Sequence, residues 1–303
     1  MTQKIGFPAL TQDVIDAINA GGGGGIPQPF LNMRDYEDQV VGGNWTPAFN
    51  AALADAASVT ARTRTIYFPR GVYSFTTQPN NIEIGVRILG DGLQATSLIR
   101  AFSPSANSGL FNLRIQANGV EICGMAIRGG SGTSGGHLIT AMSDASNVIG
   151  FIRFDNLYLS TETNNTHQSA LYINGTARTA APIGVRDIVI SRCSIFGGTV
   201  GAVELYGVVA CHFIGTDTFD AGGTTGRLVV GGSASVPSNY VSGDFSNLAG
   251  LAIENCIFVN LRAGVIAGNI TNASSAQRVA VNGYCAGSVQ SNWTNSKYTN
   301  PTV

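Results

Sequence analysis

The chain reads as an all-β protein, a parallel β-helix or solenoid with an N-terminal capping helix and a tethered N-terminal helix ahead of it. Three observations lead there. First, a short apolar spacing (one residue, another three on, a third two further) returns at Ile122/Met125/Ile127, Phe154/Leu157/Leu159, Ile190/Cys193/Ile195, Val208/Cys211/Phe213, Ile253/Cys256/Phe258 and Val281/Tyr284/Ala286. Recurrence at uneven intervals is what a stacked coil produces when each turn repeats its strands and varies its loops. Second, beyond Thr65 the chain is short β-branched and aromatic runs broken by Gly, Asn, Ser and Thr, with no recognisable helix. Third, the residue before the inward slot is Gly124, Asn156, Arg192, Asn255 or Gly283, mostly types that tolerate a left-handed backbone at a tight bend. A β-sandwich is the competing architecture, since it also has many short strands.

The first thirty residues read as an anchoring segment. Thr11 can cap a short helix, Asp13 meets its positive end, and Leu10, Val14, Ile15 and Ile18 supply an apolar face. Gly21 to Gly25, followed by Pro27 and Pro29, make a flexible tether, because five glycines cost too much backbone entropy to stay helical. So short a helix is expected to dock on a larger assembly through that face.

Residues 31–64 form the capping segment. Thr46 is expected to cap a second helix with Pro47 at its first position and Phe49, Ala52, Leu53 and Ala56 on one face. Placed before the first strands, it can lie across the open end of the coil. Residues 65–303 are then the β-helix, with Leu138-Ile139, Leu171-Ile173, Val203-Leu205, Leu228-Val230 and Val265-Ile266 as further strands of the turns. The interval from Ile190 to Val208 is short for a full coil.

Composition limits the function classes. With 44% hydrophobic and 12% charged residues the chain has ample core material, which excludes disorder. A net charge of −1 and no Lys or Arg run provide no attraction for nucleic acid, so a neutral or weakly charged partner is expected. Five cysteines cannot all pair; Cys193, Cys211 and Cys256 read as thiols stacked in one core slot, which suits synthesis in a reducing cytoplasm. The leader lacks the apolar run of a signal peptide and nothing approaches the ~20 apolar residues of a membrane span, so no membrane insertion is expected.

The segment Tyr67-Phe68-Pro69-Arg70-Gly71-Val72-Tyr73, followed by Gly85 to Gly92 and Thr96, resembles the opening of pectate-lyase-like right-handed parallel β-helix proteins, most of all the branch common in bacteriophage tailspikes. Arg34-Asp35-Tyr36 and the Ala-rich stretch from Ala48 to Ala57 precede it as in that branch. Asn44-Trp45-Thr46 departs from the acidic introduction usual there. The resemblance covers about residues 33 to 100 and implies a right-handed coil, a homotrimer, a place in the virion after synthesis in the host cytoplasm, attachment to a tail or baseplate protein through the N-terminus, and host surface polysaccharide as the target.

Glycoside cleavage needs two carboxyl groups, about 5 Å apart for retention and about 6.5–9.5 Å for inversion. Coils stacked about 4.8 Å apart can set either distance. Glu204, between Val203 and Leu205, is expected to point out of the core, and Asp217 and Asp220 to lie in the Gly- and Thr-rich loop after the following strand; these three are the candidate catalytic acids. Asp155 and Glu254 fall in equivalent outward slots three turns apart, too far to cooperate. Sugar binding without cleavage needs only aromatic faces near Asn, Thr or Ser, for which Tyr158, Tyr172, Tyr206 and Tyr240 are the candidates. His137, His167 and His212 are too scattered for a metal cluster, and neither metal nor cofactor is expected.

Overall fold

A computed structural model describes residues 30–58, 64–131, 133–161, 169–175, 184–196, 201–206, 208–214, 216–219, 228–231, 252–254, 257–259, 280–282 and 297–299. Every pairing between named strands is parallel, and each strand inside a ladder pairs with its counterparts one turn earlier and later. The result is a parallel solenoid with three ladders per turn. The first ladder climbs through Thr65–Phe68, Arg87–Gly90, the leading half of Glu121–Gly129, the leading half of Ile149–Ser160, Val185–Ser191 and Val208–Ile214. The second holds Gly71–Phe75, Thr96–Arg100, the trailing halves of those two long strands, Ser194–Phe196 and Asp217–Phe219. The third stacks Phe111–Leu113, His137–Met142, Ser169–Asn174, Gly201–Tyr206 and Leu228–Gly231.

The corners explain the apolar spacing. Along a strand, inward positions alternate every second residue. At a corner one extra residue takes a left-handed backbone, so the next inward residue falls three positions on. Gly124 (φ 70°), Asn156 (φ 50°) and Arg192 (φ 53°) turn the chain from the first ladder into the second. Gly119 (φ 75°), Phe151 (φ 55°) and Asp187 (φ 54°) do the same at the start of the first ladder. The anticipated bend residues Gly124, Asn156 and Arg192 therefore have the expected backbone; Asn255 and Gly283 lie outside the described residues.

Because both corners generate the same spacing, one anchor is corrected. Phe213, not Val208, is in register with Ile190; Val208 pairs with Val185 and Cys211 with Ile188. Val208/Cys211/Phe213 thus marks the first corner, like Ile149/Ile152/Phe154, and the short interval disappears. Cys211 does not share a slot with Cys193. Ser194 pairs with Asp217, so Thr216 sits one rung from Cys193, and Thr216 Oγ1 accepts from the Cys193 amide at 3.4 Å. Both thiols are buried and unpaired, and burial pushes that of Cys193 up to about 12. Cys256 lies outside the described residues.

Inward columns such as Ile66–Ile88–Ile122–Phe154–Ile190 and Phe111–Ile139–Leu171–Val203 make one continuous core. Each fully buried large side chain contributes about 1.5–3 kcal/mol of hydrophobic transfer. Helix α1, Thr46–Ala57, buries Phe49, Ala52, Leu53 and Ala56. Its Phe49 ring meets Phe68, Phe75 and Phe111, one from each ladder. Trp45, not Thr46, is the residue flanking the helix start. Asn44 Oδ1 accepts from the Thr46 amide at 3.1 Å, while the Thr46 hydroxyl donates to the Thr77 carbonyl at 2.8 Å, which takes it away from a capping role.

The Tyr67–Tyr73 motif and the Gly90-Asp91-Gly92 turn serve one another. The Asp91 carboxylate accepts from the Tyr67 hydroxyl and from the Arg70 amide, the latter at 2.7 Å. The Asp91 amide donates to Thr96 Oγ1, and that hydroxyl donates to the Phe68 carbonyl. Gly90 is required because a Cβ there would stand 2.5 Å from the Gly124 carbonyl oxygen of the next rung. These motif residues close the first turns and leave their polar groups engaged.

The corner geometry gives a stability test. A Cβ on Gly124 would lie 2.8 Å from the Gly90 carbonyl oxygen, on a left-handed residue. Gly124→Ala is expected to lose about 2–3 kcal/mol, whereas Asn156→Gly, which keeps the favoured backbone, stays within about 1 kcal/mol of wild type in denaturant unfolding.

Candidate functional site

The outer face of the third ladder carries polar residues where the inner face is apolar. In register they form the column Asn112, Thr140, Tyr172 and Glu204, one per rung. The column spans three interstrand steps, about 14 Å. Strand alternation produces it: Val203 and Leu205 are buried in the core on either side of Glu204, as Leu171 and Ile173 are around Tyr172.

The two halves of the column differ in chemistry. Asn112 Oδ1 accepts from the Gly109 amide at 2.8 Å and from Thr140 Oγ1 at 2.9 Å, and its Nδ2 donates to the Gly109 carbonyl. These two residues tie a loop to the ladder. The upper half pairs an aromatic ring with a carboxylate. Tyr172 is half-buried, and its hydroxyl accepts from Asn174 Nδ2 at 2.7 Å. Its ring stacks on that of His137 with centroids 4.4 Å apart and planes 9° from parallel. Burial raises the Tyr172 pKa, and the Glu204 charge adds to the rise.

Glu204 stands one rung above Tyr172. The structure places it on the outer face, as alternation demands, but only 5% exposed, so it is no solvated surface acid. His137 is 1% exposed with Nδ1 2.6 Å from Ser169 Oγ. Burial, reinforced by the Arg100 and Arg114 charges, pushes its pKa down to about 3. It is a neutral imidazole at physiological pH. Arg114 completes the set: half-buried, it donates to the carbonyls of Leu113 (2.9 Å) and Asn107 (2.8 Å), and burial lowers its pKa to about 10.

The structure thus brings Tyr172 and Glu204 together and separates them from the other candidates. Asp217 belongs to strand Asp217–Phe219 of the second ladder, not to a loop. It sits in a different ladder from Glu204. Asp220 and Tyr240 lie outside the described residues, as do Leu10, Val14, Ile15 and Ile18. Tyr206 ends strand Gly201–Tyr206, in register with Asn174. Tyr158 is on the second ladder, its ring 5.2 Å from that of Phe196 with the Arg128 guanidinium 5.1 Å above it.

Asp155 is structural. Ser191 Oγ donates to it at 2.7 Å, and Arg192 grips both its oxygens, with Nε at 2.9 Å. That fork holds the left-handed corner at Arg192. Register links Asp155, Ser191, Ile214 and Glu254 in successive turns, the separation anticipated from sequence. His137, Arg114 and Asn174 were not singled out as binding residues. Alternation alone could have found Asn174, two positions after Tyr172; His137 and Arg114 reach the column only through side-chain contacts across rungs.

Among the described residues no group of three His, Cys, Asp or Glu is placed to hold a metal ion. No described helix is long and apolar enough to cross a membrane. No family model matches the chain, and no curated protein matches it.

Solved structures similar to it are proteins of viruses and polysaccharide-modifying enzymes. Tailspike protein 3 of bacteriophage CBA120 is 12% identical with a TM-score of 0.48, covering 98% of this chain and 50% of that one. The ORF18 protein of Geobacillus virus E2 is 14% identical with a TM-score of 0.40, covering 99% of this chain and 64% of that one. The A-module of Azotobacter vinelandii mannuronan C-5 epimerase AlgE4 is 12% identical with a TM-score of 0.26. The chain spans about half the length of the CBA120 tailspike. At these identities and scores the likenesses carry no argument about chemistry.

The buried imidazole makes a pH test. Its folded pKa of about 3 lies below the ordinary 6.5, so the unfolded chain takes up a proton first as pH falls. The contribution of His137 to stability is complete above about pH 6.5 and is lost progressively toward pH 3. His137→Phe, followed by thermal melting across that range, is expected to show a shallower acid loss than wild type.

Proposed function

We propose that the chain is part of a phage tailspike, a right-handed parallel β-helix that binds host surface polysaccharide along the outer face of its third ladder. The carrying observation is the upper half of the polar column. A half-buried aromatic ring, Tyr172, is fixed by His137 and flanked by Asn174 and Glu204. Sugars are bound by that combination: an aromatic face for C–H surfaces and fixed polar groups for hydroxyls. Resemblance of the Tyr67–Tyr73 and Gly85–Thr96 segments to tailspike β-helices supports the same assignment.

In this scheme residues 1–30 attach the protein to a tail or baseplate component through Leu10, Val14, Ile15 and Ile18. Residues 31–64 cap the solenoid, for which the Phe49 contacts to all three ladders are the support. Residues 65–303 are the β-helix, three copies of which pack side by side in a virion-borne homotrimer. Tyr158, Tyr206 and Tyr240 are secondary sugar contacts.

Binding without cleavage is the better supported activity. Among the described residues Glu204 is the one carboxylate in the third-ladder column, whereas glycoside hydrolysis needs a facing pair. Hydrolysis would require Asp217 or Asp220 as the second acid, and Asp217 stands in a neighbouring ladder.

The test uses surface polysaccharide from the host and two readouts, retention of protein on immobilised polysaccharide and release of reducing ends. Tyr172→Ala is expected to weaken retention by about tenfold, the scale of one aromatic anchor. Wild type is expected to release no reducing ends. Release that disappears in both Glu204→Gln and Asp217→Asn would instead establish a glycosidase, and undiminished retention by Tyr172→Ala would remove the site.

A further inference from the structure

The arginines on the first ladder all meet carboxylates. Arg87 pairs with Glu121 at 3.0 Å, Arg153 with Glu121 and Asp155, Arg186 with Asp187, and Arg192 with Asp155. Arg114 differs. Among the described residues it has no carboxylate partner; its bonds go to the Leu113 and Asn107 carbonyls and, at 3.5 Å, to Asn112 Oδ1. Those acceptors orient the guanidinium without neutralising it. Three of its five N–H groups are used, which leaves Nε–H and one Nη1–H for another acceptor.

Among the described residues the surroundings do not supply the missing charge. Tyr172 and His137 both sense the Arg114 charge, and both are neutral at physiological pH. Glu204 stands three rungs from Asn112, about 14 Å along the column, so it lies at the far end from Arg114. A half-buried cation lacking an anion is costly to desolvate, and a guanidinium held by carbonyls is pre-oriented for a planar anion.

We infer that the saccharide taken by this face is acidic, with Arg114 receiving a carboxylate or phosphate oxygen while Tyr172 stacks on the sugar ring beside it. This rests on the glycan-binding role proposed above and names its substrate class. It also revises the expectation from overall composition, where a net charge of −1 pointed to a neutral partner. The local field at the site is what a ligand meets, and at the Arg114 end that field is positive.

The experiment is a glycan array carrying matched neutral and acidic saccharides: hexoses against hexuronic acids, sialylated against unsialylated chains, and glycosyl phosphates. The full chain is compared with Arg114→Gln, Arg114→Lys and Tyr172→Ala, each checked for folding by circular dichroism and thermal melting. Wild type is expected to prefer acidic members, with signal that weakens as salt rises from about 0.05 to 0.5 M. Arg114→Gln is expected to lower acidic binding about tenfold and leave neutral binding within about twofold. Arg114→Lys keeps part of the preference, and Tyr172→Ala loses both classes. Equal binding of acidic and neutral partners, or an Arg114→Gln profile like wild type, overturns the acidic specificity while the glycan role stands. An array on which wild type binds nothing overturns the glycan role, and this inference with it. Should Arg114→Gln fail to fold, Arg114→Lys and the salt series decide.

Discussion

The fold depends on one backbone constraint: left-handed residues at the two ends of the first ladder, Gly119, Phe151 and Asp187 where it starts and Gly124, Asn156 and Arg192 where it passes into the second. For L-residues other than glycine that conformation costs about 1–2 kcal/mol, and the protein meets the cost differently on successive rungs. Gly124 avoids it, Asn156 is a type that tolerates it, and Arg192 is held in it by its fork onto Asp155. The corner fixes which residues face inward on both sides of it. A shift of one position would exchange the core column with the outer one, and with it the polar face on which the proposed function stands.

The ladders divide their tasks by what they present outward. The first carries an ionic lattice in which Arg87, Glu121, Arg153 and Asp155 neutralise one another across rungs. Pairs of this kind contribute little individually where they are exposed; their effect is to set each of these charges beside an opposite one. The second ladder shows the aromatic rings of Tyr158 and Phe196 with the Arg128 guanidinium over the former. Among the described residues, the third brings together a fixed aromatic ring, a buried carboxylate and a cation without a carboxylate partner, the features on which the proposed saccharide binding rests.

Much of the fold was legible in the sequence, because the corner rule writes itself into apolar spacing. Ile122/Met125/Ile127 and its two successors were read in the register the structure has. The same rule caused the error at Val208. The spacing arises at both ends of the first ladder, and nothing local separates Val208/Cys211/Phe213 from a second-corner anchor; only pairing with Val185 and Ile188 does. Alternation correctly put Glu204 outside the core but could not foresee its burial. Adjacency of Tyr172 and Glu204 was hidden because loops of unequal length separate the strands. Arg114 gave no signal at all, since its significance lies in having no acid beside it among the described residues, which only three-dimensional placement can establish.

An experimental structure at a resolution that defines backbone dihedrals would test the central claim most directly. The expected result is Phe213 stacked over Ile190, with Gly124, Asn156 and Arg192 at φ between about +50° and +70°, in the left-handed region. Finding Val208 over Ile190, or those three residues in extended backbone, would contradict the corner rule and dissolve the third-ladder column built on it.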